Sequence, residues 1–183
     1  MNSPFLETSR LILRPLANED FSSLHAVLSK EKVMYAWEHG FSETESTDFL
    51  RNMCKRYQTD SYAYFAAVEK SSSSFIGVIG LLREEIEGET CIGIGYILDD
   101  TFWGKGYALE GAKACLSYAF SKLHAHRVIA DIRPENAASR RVAERLGMKA
   151  EGVFDKFYYG KHMPHIIYAA YPPTTTGDNG NAS

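Results

Sequence analysis

Apolar and polar residues follow two rhythms along this chain, and the places where the rhythm changes mark its elements. Leu11, Ile12 and Leu13 read as a short strand closed by Arg14 and Pro15. Phe21, Leu24, Val27 and Leu28 then return at helical spacing, with Asn18 as the expected N-cap and Glu19 and Asp20 in the first turn. Ser42 and Glu45 form a capping box ahead of Phe49, Leu50, Met53, Cys54 and Tyr57, which predicts a second amphipathic helix. Residues 62–69 and 75–82 look like strands joined by a flexible tip, Lys70 and Ser71 to Ser74. A further strand, 91–98, follows an acidic turn around Glu87, Gly88 and Glu89.

The second half is built the same way. Ala108, Leu109, Ala112, Cys115, Leu116, Ala119, Phe120 and Leu123 recur at three- and four-residue intervals, the clearest helix in the sequence. Residues 127–133 read as a strand ended by Pro134. Asn136 is the expected cap of a helix carrying Val142, Ala143 and Leu146 and stopped by Gly147. Two last strands are expected at 150–159 and 166–171, and Pro172-Pro173 opens a polar tail, 172–183, expected to be disordered. There is no internal repeat and no sign of a second domain. Helices alternating with many strands predict one mixed α/β domain over residues 5–171.

One junction carries candidate chemistry. The strand ending at Leu98 meets Asp99-Asp100, and a short loop with Gly104 and Gly106 opens directly into the clearest helix. A strand, a glycine turn and a helix start can present several free N–H groups to one anion, usually a phosphate. The loop is not a P-loop, because Lys105 lies between the glycines and no Gly-Lys-Ser/Thr follows the four-residue spacer. A dinucleotide fingerprint fails too, since Leu109 stands where its third glycine belongs. Taken alone, the two glycines fit an anion cradle or a plain tight turn equally well.

Composition narrows the class without naming a reaction. At 183 residues, 45% apolar and 23% charged, the chain is an ordinary globular domain large enough to fold without staples. Three cysteines, Cys54, Cys91 and Cys115, without CxxC spacing, argue against a disulfide framework and against a zinc site; no metal is expected. No apolar run approaches membrane-spanning length, so the chain reads as cytoplasmic. The net charge of −3 hides an asymmetry: residues 1–100 carry 9 Lys/Arg against 16 Asp/Glu, and residues 101–183 carry 11 against 7. A polyanionic partner suits the second half and a cationic one the first, although each charge also reads as solvated surface.

Three segments together resemble the GCN5-related N-acetyltransferases (GNAT), and more narrowly their RimJ/RimL-like branch. They are 6–15 (LETSRLILRP), 102–110 (FWGKGYALE) and 134–147 (PENAASRRVAERLG), in the family's order and spacing. The resemblance implies a GNAT α/β (α+β) fold: a mixed, mostly antiparallel sheet of six to seven strands, about four helices, and splayed central strands. It implies acetyl-CoA as donor and coenzyme A as product. The pyrophosphate would lie on the turn Trp103, Gly104, Lys105, Gly106, Tyr107, Ala108 and Leu109, and the pantetheine arm beside the backbone of Ile97 and Leu98. Asn136 resembles the family's cofactor-contacting asparagine, while its reading as a helix cap stays open. Lys105, Arg140 and Arg141 are candidate phosphate contacts or plain surface charge.

The same resemblance implies direct attack of a primary amine on the thioester, with an acid for the leaving thiolate. Ala143 stands where many relatives carry the acidic tyrosine, and Ser139 matches the serine proposed for that role in the RimL-like branch. Ser139 is also a candidate cofactor contact, and equally reads as an inert first-turn serine. Gly93 stands where many relatives carry a glutamate base, and Pro164 where they often have an aspartate. Glu38, Asp155 and His162 are candidate bases acting through water, or plain surface or core residues. An α-amine of pKa 7.7–8.0 is roughly a tenth neutral at pH 7, a lysine amine only about once in two thousand, so a weakly basic site suits the former. Tyr35, Trp37 and Glu38, with Phe41, would receive the acceptor, a peptide or protein N-terminus or a small-molecule amine, or else belong to a helix–helix core. No nucleic acid or membrane partner is expected, and the chain is expected as a monomer or homodimer. The missing tyrosine and glutamate keep open an acyl-CoA-binding regulatory domain without turnover.

Overall fold

A computed structural model describes residues 6–86, 88–158 and 160–173. Eight strands form one sheet: β1 (Leu6–Glu7), β2 (Leu11–Arg14), β3 (Tyr64–Glu69), β4 (Phe75–Ile86), β5 (Glu89–Leu98), β6 (Val128–Ile132), β7 (Lys149–Tyr158) and β8 (Lys161–Ala170). Their order is β1-β2-β3-β4-β5-β6-β8-β7. Every pairing is antiparallel except β5 with β6. The sheet thus holds one strand more than the six to seven expected. The extra strand, β1, has two residues, too short to show a period of two, and exists by pairing with Leu13 and Ile12. Four α-helices complete the fold, α1 (Phe21–Leu28), α2 (Glu43–Thr59), α3 (Tyr107–Ser121) and α4 (Ala137–Arg145).

Alternation along the central strands sorts side chains onto two cores. Ile79 and Leu81 of β4 and Ile94 and Leu98 of β5 pack with Tyr107, Ala112, Cys115, Leu116 and Ala119 of α3 and with Ala143 of α4. Val78 and Ile97, one position out of phase, face Leu24, Leu28, Leu50 and Met53 of α1 and α2 on the opposite side. The helical stripes read from the sequence supply these buried faces.

Helix boundaries show which caps work. Ser42 Oγ accepts from Glu45 N at 3.2 Å while Glu45 Oε2 accepts from Ser42 N at 2.8 Å, so the expected capping box forms. Asn18 does not cap α1: it opens a short 3-10 turn, Asn18–Asp20, and α1 begins at Phe21. Asp20 is drawn away by a bidentate pair with Arg14, at 2.7 and 2.6 Å, and by the Ala17 N–H at 2.9 Å. β8 starts at Lys161, earlier than expected, because Tyr158 and Lys161 close a hairpin whose exposed residues leave no apolar run. Glu87, Tyr159 and the tail from 174 onward lie outside the described residues. Among those described, no helix is long and apolar enough to cross a membrane.

The sheet's central feature is how briefly β5 and β6 stay together. Their parallel pairing holds only at Ile92 with Val128 and Gly93 with Ile129. Past that point β5 runs on to Leu98 paired with β4 alone, while Ala130 to Ile132 pair with β8 alone. The strands part at Gly93.

Candidate functional site

The loop after β5 is shaped by two left-handed glycines. Gly104 has φ 73° and Gly106 φ 82°, a region that costs other residues roughly 1–2 kcal/mol. Gly106 is the N-cap of α3, so the first-turn N–H groups of Tyr107, Ala108 and Leu109 have no acceptor within the helix. A Cβ placed on Gly104 would meet nothing within 4 Å, so the space beside Gly104 is open. This concave row of donors at a helix N-terminus fits a pyrophosphate.

The loop is held from behind by the first strands. Arg10 Nη1 donates to Lys105 O at 2.9 Å, Arg10 Nε pairs with Glu110 Oε2 at 2.7 Å, and the guanidinium lies 4.3 Å from the Tyr107 ring centre. Glu110 Oε1 accepts from Thr8 Oγ1 at 2.6 Å, Ser9 Oγ at 3.0 Å and Arg10 N at 2.8 Å. Burial alone would raise the Glu110 carboxyl, but these hydrogen bonds outweigh it and bring the pKa to about 2. Tyr107 donates to the Glu69 carboxylate. Trp103 folds back so that its Nε1 donates to Leu98 O at 2.8 Å, tying the loop to the end of β5. Asp99 and Asp100 are fastened to Lys30 at 2.6 and 2.9 Å. Lys105 lies 5.0 Å from the Phe102 ring centre and makes no ion pair among the described residues. Arg141 is exposed. Arg140 is occupied, with Nε on Tyr168 Oη at 3.2 Å and Nη1 on Pro134 O at 3.1 Å.

The opening between β5 and β6 is flanked by α4. Asn136 caps this helix, its Oδ1 accepting from Ser139 N at 3.0 Å, which leaves its amide NH2 for another partner. Ser139 is half-buried in the first turn, and its carbonyl accepts from Tyr96 Oη at 2.9 Å. The Tyr96 side chain therefore links the separated part of β5 to α4. The backbone edge of Ile97 and Leu98 borders the opening, while their side chains are buried in the two cores.

On the α1/α2 side, Tyr35 and Trp37 lie on a 3-10 turn after α1, followed by Glu38 at φ 69°. Tyr35 is 42% exposed, whereas Trp37 packs edge-on against Phe41 at 6.5 Å between ring centres and borders the core. Glu38 accepts from Arg133 and lies 3.5 Å from Lys161 Nζ. The Arg133 hydrogen bond holds its carboxyl below the usual range, which makes Glu38 a poor proton acceptor. Asp155 and His162 sit 3.6 Å apart on the exposed β7–β8 hairpin.

With this geometry in view, the comparisons are decisive. Residues 10–149 match the acetyltransferase (GNAT) domain family. The chain belongs to the GNAT acetyltransferase family. It is 32% identical over 152 residues to an N-acetyltransferase named YnaD from Bacillus subtilis, covering 82% of this chain and 86% of that one. It is 25% identical to the ribosomal protein uS5-alanine N-acetyltransferase of Escherichia coli, over 66% of this chain and 63% of that protein. A solved structure of RimL, a ribosomal L7/L12 α-N-protein acetyltransferase in complex with coenzyme A, shares the fold at TM-score 0.76 and 20% identity. That superposition covers 92% of this chain and 98% of the other. These matches support the RimJ/RimL-like branch of the GNAT family.

The structure also gathers residues in this GNAT domain that sequence reasoning missed. Gly93 and Gly95 sit side by side on the α1/α2 face of β5, and neighbouring strands fill the space they leave. The Glu84 Cγ is 2.7 Å from where a Gly93 Cβ would be, and Tyr64 Oη is 2.0 Å from the corresponding point on Gly95. Asp131 of β6, two residues beyond the partner of Gly93, binds Lys156 Nζ of β7 at 3.0 Å. Glu84 makes no hydrogen bond or ion pair among the described residues. Burial pushes its carboxyl up, and the nearby Asp131 charge pushes it further. Register would have found this residue. With Ile86 paired to Glu89, the β4–β5 register sets Glu84 opposite Cys91 and diagonal to Gly93.

Proposed function

We propose that this chain is an N-acetyltransferase that moves the acetyl group of acetyl-CoA to a primary amine, with the α-amine of a peptide or protein N-terminus as acceptor. One observation carries the reading: the parting of β5 and β6 at Gly93 lies between the amide row of α3 and the capped start of α4. The amides of Gly104 to Leu109 would take the pyrophosphate, with Trp103 fixing the loop and Lys105 and Arg141 supplying nearby positive charge. The backbone edge of Ile97 and Leu98 would hold the pantetheine arm, and the free NH2 of Asn136 would orient it. The donor supplies an activated acyl group on a thiolate leaving group.

Three features support an α-amine acceptor. The relatives named above include enzymes for ribosomal-protein N-termini. On the acceptor side Glu38 and Glu135 are paired with Arg133, and Asp131 with Lys156. Glu84 makes no hydrogen bond or ion pair among the described residues, which suits a cationic amine. An α-amine also needs less help to lose its proton than a lysine does. Ser139, beside the opening, would protonate the departing thiolate. We place the reaction in the cytoplasm, consistent with cysteines that are all free.

Thiol release from acetyl-CoA, measured against N-terminal peptides, polyamines, amino acids and aminoglycosides, tests the reading. Peptide-dependent turnover is the expected result. Turnover only with small amines would replace the acceptor. Acetyl-CoA binding without turnover on any amine would turn the assignment to a regulatory acyl-CoA-binding domain. For Ser139→Ala, the expected result is slower single-turnover chemistry at unchanged donor affinity; loss of affinity with unchanged chemistry would remove the acid role.

A further inference from the structure

We infer that Glu84 is the general base of this site, supplied by β4 across the gap that Gly93 leaves in β5. The inference rests on the acetyltransferase reading above and names a residue for it. The Glu84 side chain crosses to the space over Gly93, with Cγ 2.7 Å from the point a Cβ would occupy there. Gly93 is also the last residue of β5 that pairs with β6, so the carboxyl stands at the apex of the opening. It stands on the α1/α2 face, the side against which Trp37 and Phe41 pack, opposite α3 and α4.

Its surroundings explain why this carboxyl and not another takes the proton. Lys156 of β7, the closest cation by charge, is hydrogen-bonded to Asp131 of β6 at 3.0 Å. Arg56 of α2 is committed to Arg83 O at 3.0 Å and to Asp60 at 3.5 Å. Tyr64 of β3 presents a buried hydroxyl over neighbouring Gly95, and burial raises that hydroxyl far above the range in which it would ionise. Cys91, the cross-strand partner of Glu84, is likewise pushed up by burial. Glu84 is left without a hydrogen bond or ion pair among the described residues, in a half-buried position. Such a group is costly to keep unless it has a task. Burial and Asp131 raise it, against the weaker pull of Lys156 and Arg56, toward the range where a carboxylate is an effective base near neutral pH. Glu38 is neutralised by Arg133 and Lys161, and Asp155 and His162 project on the exposed hairpin.

The step balances without a further reactant. The amine nitrogen forms its bond to the acetyl carbon, the C–S bond breaks with its electron pair on sulfur, and the sulfur takes a proton from the Ser139 hydroxyl, which solvent restores. The proton shed by the nitrogen passes to the Glu84 carboxylate, directly or through one water. Glu84 later returns it to solvent.

Glu84→Gln keeps size and removes the base. The expected result is a fall in kcat/KM for the amine of about 10²–10⁴-fold, with loss of the acid limb of the pH–rate profile. Donor affinity, read by calorimetric titration with acetyl-CoA, stays at the wild-type value. The double variant Glu84→Ala, Gly93→Glu moves the carboxyl onto β5 and is expected to regain part of the rate lost in Glu84→Ala. If wild type turns over and Glu84→Gln keeps its rate and its pH profile, the base assignment falls alone. If wild type shows no amine-dependent thiol release, the acetyltransferase reading falls and takes the base with it.

Discussion

Two pairs of glycines one helical loop apart use the same residue for opposite ends. At Gly104 and Gly106 the missing side chain matters through the backbone: both adopt left-handed φ and turn their peptide groups outward beside the start of α3. At Gly93 and Gly95 the backbone is ordinary strand, and the missing side chain makes room for Glu84 and Tyr64 from neighbouring strands. On the reading proposed above, the first pair belongs to the donor side and the second to the acceptor side. A substitution in the first should therefore act on acetyl-CoA binding, and one in the second on packing and turnover.

Gly95→Ala should have the largest effect on stability. Its Cβ would lie 2.0 Å from Tyr64 Oη and 2.8 Å from Cζ, inside a buried ring that has nowhere to go. Overpacking of this kind costs about 1–3 kcal/mol, read as a lower urea midpoint. Adding Tyr64→Phe should recover part of the loss, and simple additivity in this cycle would mean that the hydroxyl is not the obstacle. Gly106→Ala comes next, with about 1–2 kcal/mol from left-handed strain and a raised KM for acetyl-CoA. An unchanged KM there would break the donor-side half of the comparison.

Glu84→Gln should move stability the other way. The folded carboxyl is raised above its unfolded value, so its contribution is fully present below the ordinary glutamate pKa of about 4.3. It is lost as pH rises through the higher folded pKa. Removing the charge should stabilise the fold at pH 7, read as a higher Tm, with no gain near pH 4. Equal Tm values at both pH values would contradict the desolvated carboxyl. Gly93→Ala should have the smallest stability effect, within about 0.5 kcal/mol, because the obstructing atom belongs to a flexible Glu84 chain. Its kcat should nonetheless fall while the KM for acetyl-CoA holds.

The same contrast explains what the sequence made legible. The glycine loop is local: strand end, two glycines and helix start follow one another, and α3 begins at Tyr107, directly after Gly106. Helices α2, α3 and α4 carry their stripes and caps within one run each, so their periodicity sufficed. The acceptor side is built across strands. Glu84 reaches Gly93 only through the β4–β5 register, and Asp131 reaches the same place only through a parallel pairing two residues long. Neither leaves a mark on its own segment. Asn18 failed as a cap for a similar reason, since Asp20 answered to Arg14 six residues upstream. Glu38 looked like a free acid in the sequence because its partner, Arg133, is 95 residues away.

The Thr8–Arg10 segment that backs the donor loop also sets when that loop can exist. Its bonds to Glu110 span 100 to 102 residues, so the loop is secured only after the chain has brought its beginning to its middle. Contacts of such long range form slowly, because the intervening chain must be closed before they reward it. Donor binding should therefore appear late in refolding, after the local helices, and a chain cleaved before Leu11 should keep β2 to β8 yet hold acetyl-CoA weakly. Since ligand binds only the completed arrangement, saturating acetyl-CoA should also protect the amino-terminal strands from hydrogen exchange.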